Sequence, residues 1–539
     1  MMTPLRPGVV RSLSKRLSYT PEPLALFRAL TDEGRRANTT LLESAEPTSR
    51  KTQRSVLVLS SALSIVCRGQ DVTLTALNSN GNGLLPFLLT QLAAFSPVLN
   101  DARICLRVPE TAGHASESER LQADSTLSVL RIIAASLEAE TANLPEAVFL
   151  TGLFAYDLVA QFEALPEPES GASVPDYSFL LADQLIVVDH LKQHAHVVVN
   201  VFGGDAASAN YYSALDAITH ISDVARDLVR VEEAPAIYPA ISIEQLRRQV
   251  SVDCSDTDYE ATVLAMKRHI VAGDVFQIVP SRTFSIPCAD PMAAYASLKA
   301  LNPSPYLFYT NTGEFVLFGA SPESAVKVDG ATRTVDISPI AGTRPRGLRA
   351  DGSIDPDLDS RYEAELRLDG KENAEHMMLV DLARNDVARV SKPGTRHVAD
   401  LLRVDRYSHV MHLVSRVRGE LRDGLDALHA YQASMNMGTL TGAPKIRAMQ
   451  LLREHEAGRR GYYGGAIGYL RGDGSFDTAI VIRSALVQGG VAYVRAGAGV
   501  VHDSIPSAEA DETRRKAEAV LRAIARVNAV QAVEQCHVA

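Results

Sequence analysis

Two Glu-x-x-Glu pairs, Glu372 with Glu375 and Glu509 with Glu512, each lie in a stretch with helical patterning. Three residues apart on a helix, the carboxylates of a pair share one face and repel each other. A hard divalent cation reverses the sign of that interaction, so four such groups on converging helices suit one magnesium shell. A second use for Glu509, Asp511 and Glu512 is to complement the dipole of a helix that Ser507 caps. Glu372 and Glu375 can likewise form a solvated face beside Arg367 and Lys371. Both uses stay open on spacing alone.

Anion-binding chemistry is the natural companion of a magnesium site, because magnesium completes its octahedron with water and an anionic ligand. Candidates are the run Ile337-Ser-Pro-Ile-Ala-Gly-Thr-Arg-Pro-Arg-Gly347, the run Gly461-Tyr-Tyr-Gly-Gly465, Arg483, and Ala496-Gly-Ala-Gly499. Glycines let backbone N–H groups approach an anion, and an arginine can grip a carboxylate with two hydrogen bonds. Together they suit a small dicarboxylate, although glycine-rich hairpin edges are also ordinary turns. No phosphate loop, dinucleotide fingerprint, nucleophile elbow or His-Glu-x-x-His helix occurs. His409 and His412 stand three apart, a spacing that suits packing better than zinc.

The elements that position these residues follow from length and patterning. The chain has 539 residues, enough for two large units or three to four units of about 150 residues. Its 46% hydrophobic and 22% charged content is that of a globular protein. The net charge of −10 argues against nucleic acid or an anionic membrane as partner. The five scattered cysteines include no Cys-x-x-Cys pair, so a disulfide framework is not expected and a reducing cytoplasm is. The most apolar stretch, 147–160, contains Asp157 and is too short to cross a membrane.

Residues 1–17 are basic and read as a solvated arm, and the Pro-rich and acidic stretch 229–257 reads as a linker. Between them, 18–228 alternates β-branched runs with helical stretches, an α/β pattern. Beyond the linker, 258–528 has strand-like runs at 315–318, 332–337, 466–470, 480–487 and 491–496, joined by hairpin turns. Helical runs are expected at 361–389, 444–456 and 507–527, with a short tail at 529–539. Strands and helices come in blocks, so the class should be α+β, with antiparallel sheets packed as a sandwich and flanked by helices.

Six ordered motifs carry a resemblance: Gly319-Ala-Ser-Pro-Glu323, Pro339-Ile-Ala-Gly-Thr343, the run Glu372 to Asp386, His409-Val-Met-His412, Gly442-Ala-Pro-Lys445 and Gly461-Tyr-Tyr-Gly-Gly465. Leu41-Leu-Glu-Ser44 and Phe149-Leu-Thr-Gly-Leu-Phe-Ala-Tyr-Asp157 extend it into the first half. In these the chain resembles the chorismate-utilising enzymes, and within them the large subunits of anthranilate synthase. The resemblance implies a magnesium-dependent amination of chorismate followed by loss of pyruvate.

Carried over by motif, Glu372, Glu375, Glu509 and Glu512 are the implied metal ligands. Gly342, Thr343, Tyr463, Arg483, Gly497, Ala498 and Gly499 are the implied substrate contacts. Glu323 is implied as general acid and His412 as helper of the elimination, with Thr343, Gln277 and Lys445 completing the catalytic set. Isochorismate-forming relatives have a water-activating Lys where this chain has Gln277, and many para-aminobenzoate-branch relatives have a nucleophilic Lys where it has Ala341. Direct ammonia addition to give the ortho product is therefore expected.

The resemblance also implies a glutamine amidotransferase partner in a heterotetramer, because no Gly-x-Cys-x-Gly segment surrounds any cysteine. It implies inhibition by tryptophan in a pocket built from Glu43, Ser44, Arg54, Pro305, Tyr306, Leu307 and Tyr469. Isochorismate synthase, and a regulatory tryptophan-binding protein without catalysis, are the competing readings.

Overall fold

The computed structural model describes residues 5–18, 22–44, 54–110, 116–141, 144–168, 174–228, 238–349, 351–407 and 410–538, with side chains as far as 531. His409 and part of the expected linker, 229–237, lie outside the described residues. Helix makes up 38% of the described residues and strand 33%, in the α+β blocks that the patterning predicts.

Among the described residues, 23 strands are hydrogen-bonded into one sheet. A single pairing within it, Val9–Leu17 beside Glu138–Ala139, is parallel. The two halves of the chain share this sheet. Strand Thr39–Glu43 pairs with Tyr306–Asn311, and Phe149–Phe154 pairs with Ala466–Arg471.

Three expectations about the chain's periphery are corrected. Val9–Leu17 is no solvated arm but a strand paired along its length with His194–Phe202, because Val9, Val10 and Leu17 are apolar enough to enter the core. The expected linker contains a helix, Ile243–Gln249, closed at its start by a reciprocal Ser242 and Gln245 capping box. The expected tail continues the helix Pro506–Val538.

Two breaks inside expected elements matter for the site. The run 361–389 is two helices, Pro356–Leu368 and Gly370–Val390, with Asp369 between them. The Asp369 carboxylate accepts from the N–H groups of Lys371 and Glu372 at 3.0 and 3.1 Å, so Glu372 enters the first turn of a new helix. The run 480–487 is likewise split into Phe476–Ile480 and Ser484–Gln488. Arg483 sits in the gap with φ of 50°, a left-handed conformation that a non-glycine residue holds only when its surroundings enforce it.

Candidate active site

The Gly370–Val390 and Pro506–Val538 helices bring their N-terminal turns into a common field. Lys371 of the first and Lys516 of the second each act on both Glu375 and Glu509. Burial pushes the Glu375 carboxyl above the ordinary value and Glu372 adds to the rise. Burial raises Glu509 in the same way, with Glu512 contributing. Burial also works upward on Glu512, but Lys516, ion-paired to it at 2.6 Å, helps bring it below the ordinary value.

Among the described residues no three His, Cys, Asp or Glu side chains gather closely enough to hold a metal ion. Three of the four expected carboxylates have protein partners: Glu372 approaches Arg344 at 3.4 Å, Glu375 accepts from the Gln277 amide at 3.2 Å, and Glu512 holds Lys516 at 2.6 Å. The donor chemistry still fits magnesium. All four groups offer oxygen, half-buried Glu375 and buried Glu509 are destabilised as anions, and magnesium needs only one or two protein carboxylates beside water and substrate.

Gln277 is 2% exposed, and its Oε1 is buried without a hydrogen-bond partner. The backbone of Gly499 packs over this amide so closely that a Cβ there would lie 2.8 Å from Nε2. Gly342, with φ of 74°, occupies a bulge in strand Ile340–Pro345, where a Cβ would meet Leu366 at 2.8 Å and Glu372 at 3.2 Å.

The next residue, Thr343, is the cross-strand partner of His412. Its hydroxyl lies 2.9 Å from His412 Nδ1, and the Gly342 carbonyl lies 3.3 Å from the same nitrogen. A carbonyl can only accept, so the proton belongs on Nδ1 and Nε2 is the basic nitrogen.

Arg483 is half-buried, and burial draws its pKa below the ordinary arginine value. Tyr463, Glu512 and Glu323 reach it electrostatically, yet its side chain makes no hydrogen bond or ion pair with any described residue. Such a cation is built for an anion from outside. The Tyr463 hydroxyl lies against Gly497, and Glu323, 7% exposed, accepts from the Thr439 hydroxyl at 3.1 Å. One end of the sheet thus gathers an unpaired guanidinium, a buried acid, a histidine with a defined basic nitrogen and two carboxylate pairs.

The chorismate binding enzyme family matches residues 100–522. Anthranilate synthase component 1 of Vibrio cholerae is 52% identical over 514 residues, which cover 95% of this chain and 96% of that protein. The Escherichia coli protein of the same name is 49% identical over 520 residues, covering 95% and 96%. The chain belongs to the anthranilate synthase component 1 family. A solved anthranilate synthase component I from Streptococcus pneumoniae superposes with a TM-score of 0.63 at 29% identity, covering 87% of this chain and 92% of that one. The menaquinone-specific isochorismate synthase of Escherichia coli shares the fold at 16% identity, with a TM-score of 0.62 and coverage of 97% and 96%.

Two residues taken over from the family motifs sit differently from expectation. Lys445 is locked in a buried ion pair, donating to both Asp386 oxygens at 2.9 and 2.8 Å and to the Ser434 carbonyl at 2.8 Å. All three ammonium protons are used, so Lys445 fastens helix Lys445–His455 to Gly370–Val390 and takes no part in proton transfer. The Ala498 N–H is spent on the Pro280 carbonyl and the Tyr259 hydroxyl, which leaves it unavailable to substrate.

In this anthranilate synthase component 1 chain, the residues expected to form a tryptophan pocket converge from both halves. Glu43, Arg54, Tyr306, Leu307 and Tyr469 line a cavity of about 380 Å³, with Ser44 and Pro305 adjoining in sequence. Sequence reasoning missed Glu146, Lys327 and Asp477 in its wall. Their signal is absent because they belong to separate elements with no shared motif, Glu146 to a short 3-10 helix and Lys327 and Asp477 to two strands. The Glu43 carboxylate is already held by Tyr295 at 2.5 Å and Lys299 at 2.9 Å, so it organises the wall from behind.

Glu375 and Glu509 both have raised folded-state pKa values, so their protonated forms favour folding below the ordinary carboxylate value. That contribution is lost as pH rises through the folded values, leaving buried anions at neutral pH. Magnesium should therefore raise the melting temperature clearly at pH 7.5 and far less at pH 4.5. Differential scanning fluorimetry across that range checks this; an equal shift at both pH values contradicts it.

Proposed function

We propose that the chain converts chorismate and ammonia to anthranilate and pyruvate, the first committed step of tryptophan biosynthesis. The observation that carries this reading is the partnerless guanidinium of Arg483 between Tyr463 and the buried acid Glu323. Arg483 and Tyr463 hold one substrate carboxylate beside the backbone of Gly497 and Gly499. Gly342 and Thr343 serve the other. When bound, magnesium held by Glu372, Glu375, Glu509 and Glu512, directly or through water, supplies positive charge to the ring carboxylate.

Glu323 gives its proton to the departing ring hydroxyl, which leaves as water while ammonia bonds to the ring carbon next to the carboxylate. The unpaired Gln277 Oε1 accepts a hydrogen bond from ammonia and aims its lone pair. In the second step His412 Nε2 takes the ring proton as the enolpyruvyl C–O bond breaks and pyruvate departs. An amide cannot deprotonate water, so Gln277 disfavours the isochorismate-forming reading, and Ala341 offers no nucleophile for the para-aminobenzoate route. The presence of acid, base and carboxylate groups together in one chain disfavours a purely regulatory role.

Free ammonia is scarce at neutral pH, so a glutamine amidotransferase subunit is its natural source. The naming of relatives as component 1 supports such a partner, and we place the pair in a heterotetramer. Tryptophan is the proposed inhibitor in the 380 Å³ cavity, where Tyr306 and Tyr469 offer aromatic surface and Arg54 a positive charge. No described helix is long and apolar enough to cross a membrane, and a cytoplasmic location is proposed.

Anthranilate fluorescence from chorismate, ammonium and magnesium tests the reaction directly. Glu323→Gln should lower kcat by about 10²- to 10⁴-fold with a smaller change in KM; full turnover would remove its role as acid. For the cavity, Ser44→Phe should abolish tryptophan inhibition while ammonia-dependent turnover persists. An unchanged inhibition curve would move the regulatory site elsewhere.

A further inference from the structure

The bulkiest fully buried side chain among the described residues is a cation, Arg282, with 1% of its surface exposed. Taking a guanidinium out of water is costly unless its donors are met. Here they are met mostly by neutral oxygens. Nε donates to the Thr513 hydroxyl at 2.9 Å, Nη2 to the Ala510 carbonyl at 3.0 Å and Nη1 to the Cys254 carbonyl at 3.0 Å. Asp256, which also pairs with Arg514, lies 2.9 Å from Nη1. The guanidinium further stacks over the rings of Tyr259 at 4.9 Å and Phe284 at 5.3 Å.

The positions of these partners are informative. Ala510 and Thr513 each directly follow a candidate metal ligand, Glu509 and Glu512. A helix advances about 100° per residue, so fixing 510 and 513 against the sheet fixes the direction in which 509 and 512 project. On the other side, Tyr259 donates to the Pro280 carbonyl at 2.9 Å and accepts from the Ala498 N–H at 3.3 Å. Arg282 thus grips the helix that bears the carboxylates and presses on the ring that anchors the Gly497–Gly499 backbone. It sits on strand Ser281–Pro287, in register with Ala496.

We infer that Arg282 is a positioning residue that sets Glu509 and Glu512 against the substrate-binding glycine backbone. It touches neither substrate nor ion. The inference rests on the reading that those glutamates hold magnesium. A side chain needed only for packing has cheaper apolar substitutes, whereas a planar fork of donors fixes helix phase as well as distance.

The test measures magnesium binding by isothermal titration calorimetry on the full chain without chorismate, beside melting temperature and ammonia-dependent kcat and KM. Arg282→Lys keeps the charge but loses the fork, and Thr513→Val, with little change in volume, removes the hydroxyl that accepts from Arg282 and donates to the Ala510 carbonyl at 2.7 Å. Each should weaken magnesium binding by about tenfold or more and raise the KM for chorismate. Thr513→Ser, which restores the hydroxyl, should return affinity to within about twofold of the parent. If Arg282→Lys does not fold, Thr513→Val and Thr513→Ser decide the matter. Parental magnesium affinity in folded Arg282→Lys and in Thr513→Val overturns the inference, whatever their melting temperatures. A different result, equal magnesium binding by the parent and Glu509→Gln, overturns the carboxylate reading first and the inference with it.

Discussion

A guanidinium drawn out of water with no carboxylate beside it is an unfavourable arrangement, and the site depends on that arrangement at Arg483. Other buried arginines each have a partner: Arg460 holds Glu456, Arg453 holds Asp157, and Arg282 bonds Thr513 and Ala510. Arg483 alone among these is left with nearby charges and no bond. The split in its strand and its left-handed backbone keep it out of the ladder that would otherwise absorb it. In the proposed reading an incoming carboxylate relieves the deficit, so that binding selects an anion before any chemistry begins.

The carboxylate pairs pose the opposite problem. Glu375 and Glu509 are anions destabilised by burial and by their own neighbours, and Lys371 and Lys516 offset the strain only in part. Excess positive charge at Arg483 and excess negative charge at the two helix starts lie at one end of the sheet. A dication with a dicarboxylate neutralises both at once. The 380 Å³ cavity belongs to the same framework: strand Phe476–Ile480 lines it at Asp477 and Ala479 and ends three residues before Arg483.

Much of this was legible in the sequence, and the parts that were not share a cause. Glu-x-x-Glu spacing and glycine-rich runs are local signals, so the residues of the candidate site could be picked out from the sequence before the fold was known. The α+β blocks were readable from periodicity for the same reason. The break at Asp369 was hidden because Leu366, Leu368 and the residues after it continue a helical pattern, and only the capping geometry reveals two helices. The kink at Arg483 was hidden because no side chain announces a left-handed backbone other than glycine. Lys445 was misassigned because its partner Asp386 lies 59 residues away. Arg282 went unnoticed because its bonds reach positions 228 and 231 residues distant. Long-range pairing is where local reading ends.

The central claim is that Arg483 is held unpaired for a substrate carboxylate. Equilibrium binding of chorismate to Arg483→Gln, with magnesium present and ammonia withheld so that no turnover intervenes, tests it most directly. Loss of a charged hydrogen-bonded contact predicts a dissociation constant about 10- to 100-fold weaker than the parent, with the melting temperature of the ligand-free chain unchanged or raised. Chorismate affinity equal to the parent, in a variant that remains folded, would contradict the account at its root.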